Sequence, residues 1–508
     1  MILDTFAPLR VNSVNDATVR TAGDYVLYWM IGQRRTRHHF GLEYAVETAR
    51  QLKRPLLVLE PLRAGYRWAS DRMHRFVIDG MADNKAAFAA AGVAYHPYVE
   101  PEPGAGRGLL EALAKRACLV VTDEIPGFFQ PRMVTAAAAR LDVRVEQVDA
   151  CGLLPLRASA REYPTAYAFR RHLQKTLPAH LLHMPLAEPL ARADRQVRGG
   201  TFPDDVLSRF PAASEALLGG DAAALSALPI DHTVPPVPYK GGSEAAGALL
   251  DEFVATGVSR YLDRNHPDTG AASGLSPWIH FGHVSVHEIC ARLFEREGWD
   301  PSQAAGSTRG QREGFWGLPG HVESFLDEVI TWRELGYGFA FHRPHDFDQY
   351  ASLPDWARAT LAKHSQDRRG ELYSYEQLER AETSDEIWNA AQRQLLHEGR
   401  IHNYLRMLWG KKVLAWTKSP EEAAQILIEL NNKWAVDGRD PNSYSGIFWV
   451  LGRHDRPWPE RAVYGTVRYM TSDSTKKKLK MSAYLARWNQ QAFQRRQREL
   501  FSPAAPPR

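Results

Sequence analysis

Apolar runs and stretches of helical periodicity alternate along the first third of the chain. DYVLYWMIG (24–32) is a short apolar run of strand type, and GLEYAVETARQL after it repeats its apolar positions at helical spacing. PLLVLEPL reads as a second strand, residues 71–91 as a helix, GVAYHPYV as a strand, 108–116 as a helix and CLVVTDE as a strand. A further helix and VRVEQVDA close the series. Such alternation predicts a Rossmann-like α/β domain over 1–155, a parallel sheet covered on both faces. No GxGxxG follows the first strand, so a dinucleotide site of the usual kind is not expected there. Residues 156–245 are irregular: LPLRASAREYPTAYAFRRHLQKTLPAHLL has some helical pattern, the chain beyond it is rich in Ala, Pro and Gly, and the whole reads as a connector laid over the surface. From 246 to 490 the periodicity is helical, predicting an all-α domain broken by a mobile insertion at 298–320. Residues 491–508, ending FSPAAPPR, read as a disordered tail.

Composition narrows the class. Hydrophobic content of 44% and charged content of 24% suit a globular chain with a sizeable core. A net charge of +4 is too small to signal nucleic-acid binding by itself, so local clusters must carry that reading. Cys118, Cys151 and Cys290 show no CxxC spacing, which argues against a disulfide framework and a zinc site and fits a reducing, cytoplasmic setting. No metal site is expected. The first residues lack an apolar h-region and no apolar run is long enough to span a bilayer, so neither secretion nor a membrane partner is expected.

The chemistry concentrates between 385 and 449. Ser384 is positioned to cap a helix that Gly399 closes, and a second helix follows over 402–416. Trp388, Trp409 and Trp416 sit on this pair, and the charged, turn-rich loop DGRDPN follows. A polar loop facing an aromatic helix pair predicts a pocket for a flat ligand with polar edges. Upstream, Ser276 before Pro277 can cap a helix whose N-terminus would hold a diphosphate, although most such pairs are simply helix starts. Glu328 and Trp332 are four apart within an amphipathic helix over 323–339 and share a face. Lys476, Lys477, Lys478 and Lys480 form one short basic run.

WNAAQRQLLHEGRIHNYLRMLWGKKVLAWT, LNNKWAVDGRDPN, GRHDRPWPER and YGTVRYM together resemble the C-terminal domain of class II cyclobutane pyrimidine dimer photolyases. These are flavin enzymes that split UV-made thymine dimers with blue light, and the resemblance covers most of the chain. It implies FAD held by Tyr261, Ser273, the Leu275 backbone and Ser276 at the phosphates. Arg406, Asp437 and Asp440 would lie at the flavin ring and ribose, and Asn431 at flavin N5, with Asn432 the choice if the register slips by one. It implies an electron path through Trp409, Trp388 and Tyr373, with Trp416 as a rival branch. It implies a lesion pocket of Glu328, Trp332, Met407 and Trp449. A protonated acid at Glu328 can donate to a thymine carbonyl where its anion cannot. Extruding a dimer costs less than extruding a normal base pair, and photolyases are a named example of base flipping. For DNA, the resemblance and the charge pattern together offer Arg453, Asp455, Arg456, Arg461, Lys476, Lys477 and Lys478, with Arg264 as the partner of Asp455.

In the first domain the resemblance implies an antenna chromophore, deazaflavin or folate. QRRTRHHFGLEYA is the matching feature, with His38 and His39 where many relatives carry Asp-Asn. A surface turn with solvated arginines is the plainer reading of the same stretch. UV-damaged DNA is the expected partner, with no obligate protein partner and a monomeric state. A cryptochrome-type receptor without repair and a (6-4) photolyase remain the alternatives, the latter through His342, His345 and His454.

Overall fold

The computed structural model of the protein describes residues 8–304, 306 and 308–501. Six strands form one sheet in the order β1-β6-β5-β2-β3-β4. They are β1 (Val11–Ser13), β2 (Tyr25–Trp29), β3 (Leu56–Leu62), β4 (Ala94–Val99), β5 (Ala117–Asp123) and β6 (Val145–Val148). All neighbours are parallel except β1, which pairs antiparallel with β6. The strand β1 is absent from the sequence reading. It is three partly exposed residues at a sheet edge, too short to show a period.

Strand β2 is buried along its whole length because successive side chains feed two cores. Val26 and Tyr28 point into a cluster with Leu42, Val46 and Val58, whereas Leu27 and Trp29 point into one with Leu113, Val120 and Val145. Each fully buried aliphatic side chain there contributes roughly 1.5–3 kcal/mol.

The connector departs from the expected surface layer. Leu190, Ala193 and Val197 enter the first core, while Phe202, Val206 and Phe210 enter the second. Leu217, Leu218, Leu225 and Leu228 pack with Val77, Ile78 and Met81 in a third. The connector also carries a sixteen-residue helix, Ala166–Leu181, N-capped by Thr165. That helix lies in the stretch with helical pattern; beyond it the connector's apolar residues are spaced too irregularly to show a period, yet they enter cores on both sheet faces. The 298–320 insertion is also more fixed than expected among its described residues. Trp299 packs on Trp316, and Gln174 exchanges hydrogen bonds with Gly310 N and Gln311 O at 2.8 Å each. Gln490–Phe501 is helical rather than part of a tail, and residues 502–508 of the expected tail lie outside the described residues.

The chain divides into two compact units, Met1–Thr256 with Ser273–Pro344, and Gly257–Ala272 with His345–Arg508. Within the first, helical segments are tied to the sheet region by buried polar bonds. Glu334 accepts from the Leu153 and Leu154 amides, Arg333 donates to the Cys151 carbonyl, and Arg35 donates to the Gly282 carbonyl. No helix among the described residues is long and apolar enough to cross a membrane.

Candidate functional site

The aromatic helix pair forms as the pattern predicts, with one shift. The first helix is Glu386–Glu398, and its N-cap is Asp385 rather than Ser384, with the carboxylate accepting from Trp388 N at 3.0 Å. Asp385 also binds Lys412 at 2.9 Å, so the capping residue ties this helix to the next. Gly399, at φ 63°, closes it in the left-handed conformation that glycine adopts without strain. The second helix is Asn403–Ala415.

These helices hold the Trp388 and Trp409 rings parallel, with centroids 6.2 Å apart and planes within 5°. Trp409 Nε1 donates to Gln392 Oε1 and Trp388 Nε1 to the Trp409 carbonyl, so both indole N–H groups are satisfied and both rings held. Trp416 lies edge-on to Trp388 at 5.6 Å, and Tyr373 lies edge-on to Trp416 at 5.2 Å. The ring that links Tyr373 to the buried pair is therefore Trp416, which the sequence reading set aside as a rival branch. Its spacing of seven from Trp409 was the available signal. Tyr373 is half-buried, and its hydroxyl donates to Glu371 at 3.0 Å.

One turn before Trp409, Arg406 reaches Asp437 at 3.3 and 3.5 Å and Asn431 Oδ1 at 3.3 Å. The ion pair is partly open, with side-chain exposures of 24% and 13%. Asn431 Nδ2 donates to Ser443 Oγ at 2.8 Å. Asn432 belongs to the scaffold instead. Its Oδ1 accepts from Arg439 N, its Nδ2 donates to the Tyr444 hydroxyl, and its carbonyl accepts from Arg439 Nη1. Asn431, rather than Asn432, is thus the asparagine beside the Arg406–Asp437 pair. Asp440 caps the helix Pro441–Val450 by accepting from Asn442 N at 2.8 Å.

That helix carries Trp449, half-buried, as is Met407 on the neighbouring helix. Arg468 and Lys411 approach the Trp449 ring at 5.2 and 5.4 Å. Asp455 pairs with Arg468, at 3.0 and 3.3 Å, rather than with Arg264. Arg264 lies over the buried Tyr261 ring at 4.7 Å. Arg453 is also corrected: it is buried and donates to the Ser352 carbonyl, so it is no surface contact for DNA. Arg456, Arg461, Lys476, Lys477 and Lys478 are exposed. The three lysines end the helix Ser472–Lys478, where cations suit the negative end of the dipole.

The remaining predicted residues lie in the other unit. Ser276 is the first residue of a five-residue helix, Ser276–His280, and is exposed. The N-cap is Leu275 and no side chain caps the helix, so the expected Ser276 cap does not form. Ser273 is partly exposed and Leu275 buried. Glu328 and Trp332 are half-buried in a π-helical segment, Asp327–Trp332, between two α-helices.

Most of the QRRTRHH stretch is buried rather than a solvated turn. Arg34 pairs with Glu60 at 2.8 Å, and Arg35 spends its guanidinium on Gln33 and the backbone. Asp123, at the end of β5, accepts from the Ile31, Gly32 and Gln33 amides and the Tyr28 hydroxyl. His39 caps the helix Phe40–Leu52, and burial, helped by Arg35, pushes its imidazole down to about 3. Arg34, Arg35 and His39 are thus held by the fold, whereas Arg37 is exposed and pairs with Glu188.

No protein-family model matches the chain. Curated relatives do. The deoxyribodipyrimidine photo-lyase of Methanothermobacter thermautotrophicus is 31% identical over 483 residues, covering 94% of this chain and 97% of the relative. That of Oryza sativa subsp. japonica is 32% identical over 484 residues, covering 91% and 87%. The crystal structure of a class III photolyase from Agrobacterium tumefaciens superposes with a TM-score of 0.64 over 95% of this chain and 90% of that one. At 16% identity that likeness speaks for the fold alone. With near-complete mutual coverage by relatives of this identity, the chain belongs to the deoxyribodipyrimidine photo-lyase family.

Proposed function

We propose that this chain repairs cyclobutane pyrimidine dimers in DNA under blue light, as a class II-type photolyase with FAD. The observation that carries the reading is the unbroken run of ring contacts from buried Trp409 through Trp388 and Trp416 to half-buried Tyr373, beginning one turn from the Arg406–Asp437 pair. Oxidisable rings in series suit a protein that must keep a flavin reduced.

The donor set around Arg406 fits a flavin. A guanidinium and a carboxylate meet through long contacts, beside an amide that can donate or accept. Arg406, Asn431, Asp437 and Asp440 would hold the cofactor, with Tyr261 a further contact. Ser273, Leu275 and Ser276 are offered for its phosphates by the resemblance. Reduced FAD, when bound and excited by blue light, supplies the electron that opens the cyclobutane ring. The protein's part is to bind, orient and exclude water. Arg406 would stabilise negative charge beside it, and Asp437 would hold Arg406 in place. Trp409, Trp388, Trp416 and Tyr373 would pass electrons inward, and Glu371 would take the phenolic proton when Tyr373 is oxidised. The resemblance offers Trp449 and Trp332 for stacking on the flipped lesion, Met407 for contact with it and Glu328 as donor to a thymine carbonyl. Lys476, Lys477, Lys478, Arg456 and Arg461 would contact phosphates, which positions a duplex without reading its sequence.

The test is repair by Glu328→Ala and Trp449→Ala, each reconstituted with FAD. Both should keep the flavin absorption band and lose at least about tenfold in repair rate, about 1.4 kcal/mol. Variants that repair at the wild-type rate would remove these residues from the lesion site.

A further inference from the structure

Gly410 lets the helix Asn403–Ala415 lie hard against the helix Pro441–Val450. A Cβ at Gly410 would stand 2.6 Å from Val450 Cγ2. The next residue, Lys411, is fully buried. Its ammonium donates to the Val450 carbonyl and lies 5.4 Å from the centroid of the Trp449 ring. No carboxylate among the described residues pairs with it, and the charges that act on it are Asp455 and Arg468, themselves a bidentate pair.

We propose that Lys411 is a positioning residue for the lesion, its buried ammonium fixing the Trp449 ring on which a flipped pyrimidine dimer stacks. The inference rests on the photolyase reading of Trp449. A buried cation without an ion-pair partner is costly, and an apolar residue of similar size would usually be more stable there. The geometry supplies a return for that cost. Lys411 and Arg468 both approach one indole, and a desolvated cation is drawn to the electron-rich face of such a ring. Asp385, the N-cap of the helix Glu386–Glu398, pairs with Lys412 rather than with Lys411. Tyr464 meets Lys411 through its hydroxyl, which donates to the Lys411 carbonyl at 2.9 Å.

Burial pushes the Lys411 ammonium down to about 7, with Asp455 opposing and Arg468 assisting. The indole clamp is therefore charged below neutral pH and uncharged above it. The stability sign is opposite. A lysine whose folded value lies below its unfolded value favours the fold at high pH, and that contribution is lost as pH falls through about 7. Removing the charge should leave stability unharmed while weakening the lesion site.

The experiment measures, on FAD-bound protein, Kd for an oligonucleotide with one cyclobutane thymine dimer and for its undamaged copy, between about pH 6 and about pH 8.5. The wild-type preference for the damaged strand should fall about three- to tenfold across this range. Lys411→Met should show the low preference throughout, with a melting temperature no lower than wild type. Lys411→Gln serves the same comparison if the methionine variant does not fold. A flat wild-type preference, or a neutral variant that keeps the wild-type profile, overturns the role of Lys411. A wild-type protein with no preference for the dimer at any pH would instead overturn the photolyase reading.

Discussion

Neighbouring residues with the same side chain can have unrelated tasks, and Asn431 and Asn432 are the plainest case. Successive helix positions point about 100° apart, so one faces Arg406 and the other the Arg439 loop. Asn432 satisfies Arg439 N and the Tyr444 hydroxyl in a fully buried spot. Asn432→Ala should cost about 2–3 kcal/mol in denaturant unfolding, because both partners lose their bond. Asn431→Ala should cost less and should instead shift the flavin absorption and reduction potential. Equal stability losses with unchanged flavin spectra would contradict this division. The sequence could offer both asparagines but not choose, since the choice depends on tertiary partners. The same limit explains Arg453 and Arg264. A sequence displays charge, whereas burial of Arg453 and stacking of Arg264 on Tyr261 are set by packing.

At the scale of elements, the helix pair was legible because caps and periodicity are local. Only the N-cap moved, by one residue, from Ser384 to Asp385, either of which can accept from a helix N–H. The order of the aromatic path was not legible, because Tyr373 and Trp416 meet through backbone far apart in sequence. Trp416→Phe should therefore slow photoreduction of bound flavin more than Tyr373→Phe does, as followed by flash absorption with an external reductant. An unaffected Trp416→Phe would mean that electrons bypass it. The π-helical turn over Asp327–Trp332 also escaped, since a single widened turn barely disturbs an amphipathic pattern. Such turns recur at functional sites, and this one carries Glu328 and Trp332.

For the whole molecule, the alternation of apolar runs and helical periods was enough to predict a parallel sheet, because β2, β3 and β5 are buried on both faces and read as near-continuous apolar runs. The connector was read as surface because its apolar residues come singly between Pro and Gly, yet they complete three cores. Buried polar bonds were invisible for the same reason. Glu334 is an example with a measurable consequence. Burial, opposed by Arg333 and the Leu153 and Leu154 amides, pushes its carboxyl from 4.5 up to about 7. Its contribution to stability is complete below 4.5 and is lost as pH rises through about 7, a difference of about 3 kcal/mol at most. Thermal unfolding should show a lower melting temperature at about pH 8 than at about pH 6, and Glu334→Gln should flatten that slope. A slope unchanged by the substitution would assign it to other groups.

The central claim is light-driven repair of the cyclobutane dimer. The most direct measurement mixes photoreduced, FAD-bound protein with an oligonucleotide bearing one cyclobutane thymine dimer and follows the return of thymine absorbance under blue light and in the dark. A matched (6-4) oligonucleotide serves as the comparison. Recovery only in the light and only on the cyclobutane lesion is the predicted result. Absence of recovery on that lesion with flavin bound and reduced, or recovery on the (6-4) lesion instead, would contradict the account.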